Sequence, residues 1–369
     1  MKYYIIAGEA SGDLHGSNLI KELKKLDTSA AIRCWGGDKM QAGGGELVKH
    51  YRELAFMGFT EVLMNLRTIF SNLKFCKEDI LQFKPDALIL IDYPGFNLRI
   101  AKWAKQQGLK VIYYISPQVW AWKENRVKMM KGCIDKMIVI VPFEKEYYQK
   151  KWNWDVEYAG HPLAQEIERH KEQGTRHKFS NKPIVALLPG SRKQEIMKKL
   201  PVMLEISKNF PDHQFIIAQA PSVDDSFYKT FSDPYSNVSL VKNQTYDLLL
   251  QAKAALVTSG TATLETALFG IPEVVCYKGG FLSYQIGKRL VKVKYISLVN
   301  LIMDKPVVKE LIQNNLTAEN LKKELQQLLT DKNRIAEIKK DYASLKTLLR
   351  QGGDASANAA SSIIKFLRQ

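Results

Sequence analysis

An aspartate closes the apolar run of "DALILIDYPGFN", residues 86 to 97, and Pro94 and Gly95 follow it almost at once. A carboxylate at the carboxyl end of a buried strand, stiffened by a proline turn, can take a proton from a substrate hydroxyl, which makes Asp92 a candidate general base. The competing reading is an aspartate that only bonds its own turn. Two further acids, Glu9 and Asp13, stand with Ser11 in "IIAGEASGD", residues 5 to 13, where another strand runs into two glycines. Gly8 and Gly12 are not spaced as in the G-x-G-x-x-G of dinucleotide folds, so NAD is not the expected ligand.

Two other turns can hold an anion. In "ALLPGSRKQEI", residues 186 to 196, Gly190 and Ser191 put main-chain amides at a helix start, and Arg192 and Lys193 put cations where the helix dipole disfavours them. A diphosphate bound there offsets that cost; the alternative is a solvated basic turn. "VTSGTATLETALFGIP", residues 257 to 272, repeats the arrangement with Ser259, Gly260 and Thr261. Ser259 or Thr261 can cap the helix, the remaining amides can meet phosphate oxygens, and Glu265 can accept both hydroxyls of a ribose. Against this stands an acid that merely suits a helix start.

Some chemistries are argued against by what the sequence lacks. Without an Asp-x-Asp pair, a divalent metal bridging a nucleotide diphosphate is not expected. Cys34, Cys76, Cys133 and Cys276 have neither C-x-x-C spacing nor histidine partners, which argues against zinc or a disulfide framework and fits a reducing compartment. There is no G-x-S-x-G elbow or Walker A loop. His161, in a Gly-His-Pro, reads as a hinge residue or a ligand contact.

The elements that must carry these residues alternate. Short apolar strands at Tyr3–Ala7, Ala31–Trp35, Asp86–Ile91, Lys110–Ile115 and Lys136–Val141 are separated by amphipathic stretches, as βαβ units on a parallel sheet require. A charged segment, His170–Lys182, reads as a linker before a second series: Ile184–Leu188, Gln214–Ala218, Val238–Val241, Ala254–Thr258 and Glu273–Cys276. The expected fold is α/β, two Rossmann-like domains facing each other across a cleft: residues 1–168, completed by a C-terminal helix at 347–369, and residues 169–346. Ligands of open α/β sheets bind beyond the carboxyl ends of the strands, where every candidate above sits.

The chain has 369 residues, 46% of them hydrophobic, enough for two cores. Its 54 Lys and Arg against 38 Asp and Glu give a formal charge of +16. That balance suits phosphorylated ligands, an anionic membrane or nucleic acid. "MGFTEVLMNLRTIFSNL", residues 57 to 73, gathers Phe59, Val62, Leu63, Leu66, Ile69, Phe70 and Leu73 on one helical stripe beside Arg67, Lys74 and Lys77. Trp120 and Trp122 lie among lysines nearby in sequence. Such a stripe is either core or a peripheral membrane face. No signal peptide or uncharged run near 18 residues is visible, so contact with a membrane is expected from outside the bilayer core.

Taken in order, "GEASGD", "KMQAGG", "LAFMGFTEVL", "KPDALILIDYPGFN", "YYISPQVWAWKENRV", "VPFEKEYY", "GHPL", "LLPGSRKQEI", "SGTATLE" and "KRLVKVKYISLVNLI" resemble the lipid-A-disaccharide synthases, bacterial glycosyltransferases of the two-domain B-type fold. The resemblance implies an inverting hexosyltransferase that joins UDP-2,3-diacylglucosamine to 2,3-diacylglucosamine 1-phosphate through a β(1→6) bond and releases UDP. It implies no metal, no cofactor and no nucleic acid. The implied location is cytoplasmic, on the inner face of the bacterial inner membrane, against its anionic surface. The chain would be a monomer or a homodimer that swaps C-terminal segments.

By position, Asp92 becomes the base, with Glu9 and Ser11 beside the acceptor or the transferred sugar. Gly190, Ser191 and Arg192 would meet the diphosphate. Ser259, Gly260, Thr261 and Glu265 would hold the nucleotide with Asn300 near it, and Val62, Leu63, Leu66, Ile69 and Phe70 would touch membrane. Gly95 stands where some relatives carry a second acid, and Val299 where a proline is common. The rivals are another B-type UDP-sugar enzyme, an N-acetylglucosaminyl transferase or an epimerase, and a non-catalytic membrane- or nucleic-acid-binding protein.

Overall fold

The computed structural model describes residues 1–54, 66–175, 177–280 and 293–369. Among them two compact units form, Met1–Pro162 with Arg350–Gln369, and Leu163–Leu349. The first unit contains a parallel sheet in the order β3-β2-β1-β4-β5-β6-β7, made of β1 (Lys2–Ala7), β2 (Ala31–Gly36), β3 (Glu46–His50), β4 (Ala87–Ile91), β5 (Val111–Tyr114), β6 (Lys136–Val139) and β7 (Glu157–Tyr158). The second contains β8 (Ile184–Leu188), β9 (Gln214–Gln219), β10 (Val238–Lys242), β11 (Ala252–Thr258), β12 (Glu273–Tyr277) and β13 (Lys309–Ile312), also parallel, in the order β10-β9-β8-β11-β12-β13.

Parallel strands joined by helical crossovers are covered on both faces, so they read as unbroken apolar runs. Every residue of β4 and of β8 is buried accordingly. The alternation seen in the sequence misses β3, β7 and β13, all at sheet edges. Edge strands are less enclosed, and "ELVKH" and "KELI" carry charges that block further pairing.

The charged stretch expected as a linker is instead attached to the second unit. It begins inside the helix Pro162–Gln173. There His170 Nε2 lies 2.8 Å from Asp247 Oδ1 and Lys171 Nζ donates to the Leu268 carbonyl at 2.6 Å. Farther on, the Phe179 amide donates to Gln251 Oε1 at 3.1 Å.

At the other end of the chain, the helix Ala355–Leu367 packs on the helix Ala10–Leu26 of the first unit. Asp354 caps it, accepting from the amides of Ser356 and Ala357, both at 3.0 Å. Asn358 Nδ2 donates to Ala159 O at 3.0 Å and Ser362 Oγ to Glu157 Oε2 at 2.5 Å. Two main chains nearly touch beside it: a Cβ on Gly352 would stand 2.3 Å from Gly160 Cα, a contact only glycine permits.

The single stripe read over residues 57 to 73 divides. Phe59, Val62 and Leu63 lie outside the described residues, as does the side chain of Leu66. In the helix Leu66–Phe83, Leu73 is buried and Ile69 packs half-buried against the core. Ile69 therefore presents only part of its side chain outward. Phe70 projects outward, 65% exposed, with Lys74 exposed one turn on. Among the described residues no helix is long and apolar enough to cross a membrane.

Candidate active site

In the first unit the register of two central strands brings the acids together. Ala7 of β1 pairs with Ile91 of β4, so Gly8-Glu9 and Asp92-Tyr93 leave the sheet side by side. Both Asp92 and Tyr93 are left-handed, at φ 45° and 48°. That conformation costs residues with a Cβ about 1–3 kcal/mol and persists only where the surroundings enforce it. Here they do. The Tyr113 hydroxyl donates to Asp92 O at 2.5 Å. Asn97, fully buried, turns its amide to the carbonyls of Ile6, Ile91 and Asp92 at 3.3, 3.2 and 2.8 Å. The Tyr93 ring lies where a Cβ on Gly8 would stand, 2.3 Å away, so Gly8 is required by this packing.

The main chain of Asp92 is thus fixed while the residue stays half-buried. Burial first, and the carboxylate of Glu9 second, push the Asp92 carboxyl up to about 7, against a smaller downward pull from the Tyr93 amide. A base with that affinity for protons is matched to work near neutrality. Glu9 is the N-cap of the helix Ala10–Leu26, and Ser11 is exposed in its first turn. Asp13 is different: buried, it accepts from the amides of Gly37, Lys39 and Met40 at 2.7, 3.2 and 3.0 Å. It therefore fastens the start of the helix Asp38–Ala42 instead of facing a ligand. His161 is buried too, and burial and His15 hold it neutral, down to about 3.

The same logic builds the second unit. Leu188 of β8 pairs with Val257 of β11, so the turn through Gly190-Ser191 and the turn through Ser259-Gly260 emerge together. Gly190 has φ 130°, and a Cβ there would stand 2.7 Å from Glu195 Oε2. Arg192 is the N-cap of the helix Lys193–Glu205, and its guanidinium is about half exposed, 3.5 Å from Glu195 Oε1. Gly260, at φ 147°, is the N-cap of the helix Thr261–Phe269. Neither Ser259 nor Thr261 caps that helix, contrary to the expectation from sequence. In both helices the N-cap side chain makes no capping bond to a first-turn amide. With no side-chain cap in place, first-turn amides are left able to bind an anion.

Ser259 Oγ donates to Ile296 O at 2.8 Å, so its hydroxyl anchors a neighbouring segment. Glu265 accepts from the Tyr246 hydroxyl at 3.0 Å, and burial raises its carboxyl above the usual range, with that bond opposing. Asn300 departs furthest from expectation. Only 1% exposed, its amide donates to Val308 O and Glu310 Oε1, both at 2.9 Å, and its oxygen accepts from Val308 N at 2.9 Å. Both amide protons are spent inside the protein, on Val308 and Glu310, and neither is turned to the surface. Glu310 in turn accepts from the Ile296 and Ser297 amides at 3.0 and 2.9 Å, so Asn300 braces the segment on which Ser259 rests.

Two residues that sequence reading passed over matter here: Asn97 and Tyr246. Asn97 carried a signal, a polar residue on the inward face of the helix that follows Asp92. Tyr246 carried none.

The family described as Lipid-A-disaccharide synthetase matches residues 3–365. A protein of Syntrophus aciditrophicus named Lipid-A-disaccharide synthase is 39% identical over 373 residues, spanning 97% of this chain and 96% of that protein. Among solved structures, the UDP-GlcNAc 2-epimerase of Neisseria meningitidis bound to UDP-GlcNAc is similar in fold, with a TM-score of 0.66 at 16% identity over 100% of both chains. The glycotransferase of kitacinnamycin gives 0.65 at 14%, covering 99% of this chain and 98% of that one. At these identities the two structures bear on the fold alone. They agree with two parallel α/β sheets of the glycosyltransferase B type.

Proposed function

The chain belongs to the lipid-A-disaccharide synthetase family and is a glycosyltransferase; from that premise we propose that it transfers 2,3-diacylglucosamine from UDP to the 6-hydroxyl of 2,3-diacylglucosamine 1-phosphate. Asp92 accepts the hydroxyl proton as the oxygen forms its bond to the donor's anomeric carbon. The bond from that carbon to the diphosphate breaks, and UDP departs with the electron pair. A single displacement inverts the carbon. Negative charge grows on the diphosphate, where Arg192 and the amides after Pro189 and Ser259 are pre-aligned to stabilise it. The observation that carries the reading is the strained, half-buried Asp92, whose carboxyl is raised to about 7 beside Glu9. Glu9 and Ser11 are assigned to the sugar side and Glu265 to the ribose.

Mass spectrometry of the products tests this. With both substrates the disaccharide 1-phosphate and UDP should form together; with the donor alone neither should. Epimerised donor, or no change with both present, overturns the reading.

The acceptor and product carry fatty acyl chains, and the reading includes peripheral attachment to an anionic leaflet at the inner membrane's cytoplasmic face. Phe70, exposed beside Lys74, supports it, since an apolar ring among cations suits a headgroup boundary. Phe70→Ser should lower binding to phosphatidylglycerol vesicles about tenfold, from the loss of one inserted ring, and leave the melting temperature unchanged. Equal vesicle binding by the variant removes Phe70 from the membrane face.

A further inference from the structure

We propose that Lys199 is a positioning residue for the donor's diphosphate, tying the turn after β8 to the end of β11 and setting a buried positive charge behind both. The inference rests on the donor-binding reading of the second unit and assigns that site a residue outside its two turns.

Lys199 lies in the helix Lys193–Glu205 and is 3% exposed. Its ammonium donates to Thr258 Oγ1. Thr258 is the last residue of β11 and precedes Ser259-Gly260. The same ammonium stands 3.5 Å from the point where a Cβ on Gly190 would be, a point that Glu195 Oε2 approaches to 2.7 Å. One side chain thus reaches both turns, and Glu195 connects it to Arg192 at 3.5 Å.

The energetics say this lysine is not there for stability. Burying an ammonium costs several kcal/mol unless it is well paired; Lys199 bonds a neutral threonine hydroxyl, and the carboxylate it feels, Glu195, is shared with Arg192. Burial accordingly lowers the affinity of Lys199 for its proton, with Glu195 and Cys276 opposing. A methionine has nearly the same length, and its neighbours Ile196 and Leu200 are buried apolar residues. A charge kept where an apolar chain fits is explained by an anion that arrives on the turns it supports.

The test is calorimetric titration of UDP into the full chain, with wild type, Lys199→Met, Thr258→Val and Arg192→Ala compared, together with steady-state kinetics. Lys199→Met should keep or raise the melting temperature while weakening UDP about tenfold. It should raise the KM for the UDP-sugar and leave the acceptor's KM alone. A purely structural lysine would instead lower the melting temperature and disturb both. Should Lys199→Met fail to fold, Thr258→Val, which keeps the side chain's shape but removes the hydroxyl, decides: weaker UDP binding supports the proposal and wild-type affinity overturns it. Unchanged UDP affinity in folded Lys199→Met, with Arg192→Ala weakened, overturns the role of Lys199 and leaves the donor site standing. Wild-type protein that does not bind UDP overturns the donor reading itself.

Discussion

Asp92→Asn should abolish nearly all sugar transfer, a loss of about 10²–10⁴ in kcat for removal of a general base, while the Kd for UDP stays at its wild-type value. The isosteric amide keeps the backbone bonds to Tyr113 and Asn97, which involve Asp92 O and not its carboxyl. A second readout separates this from damage. The folded protein holds the carboxyl near 7, well above its ordinary 3.8. Folding therefore favours the protonated form, and this group's contribution to stability falls as pH rises from about 4 through about 7. The asparagine variant escapes that loss. It should be more stable than wild type at pH 8, by on the order of 2–4 kcal/mol, with the gain fading as pH drops toward 4. In the wild type kcat/KM should rise with pH through about 7, because the ionised carboxylate is the base. Near-normal turnover by the variant, or a rate independent of pH across this window, would exclude Asp92 from proton transfer.

Arg192→Ala carries the next largest effect. A guanidinium that binds a diphosphate contributes about 1.5–3 kcal/mol through charge-assisted hydrogen bonds, so the Kd for UDP should rise roughly 10- to 150-fold. Stability should barely move, because Arg192 is about half exposed and its ion pair with Glu195 is a surface one. Isothermal titration with UDP and a thermal melt on the same sample test both halves. An unchanged Kd would refute the diphosphate assignment.

The sequence made strand ends legible and three of the four sheet edges, all but β10, illegible, for one reason. Asp92, Gly8, Pro189 and Ser259 each follow a run of residues buried on both faces, and such runs announce themselves. β3, β7 and β13 are half-covered and do not. Side-chain roles divide in the same way. Arg192 and the glycines of the turns after β8 and β11 could be read from local spacing. Asn300 could not, since its partners Val308 and Glu310 are found only once β13 is docked. Lys199 looks in sequence like one of several solvated lysines of an amphipathic helix, and only the close approach of β8 and β11 encloses it. The left-handed backbone at Asp92 and Tyr93 was also hidden, because the bonds that enforce it come from Tyr113 on β5 and from carbonyls on β1 and β4.

The last helix, Ala355–Leu367, completes the unit that begins with residue 1 by packing on the helix Ala10–Leu26. This order of assembly has a cost during biosynthesis. The first unit cannot close when its own stretch has left the ribosome; it must wait for the whole second unit to be translated before its final piece emerges. Asp92 is thus encoded early, and the unit that holds it closes late. A nascent chain that stops short of Ala355 leaves the helix Ala10–Leu26, which carries Ser11, without the helix that covers it.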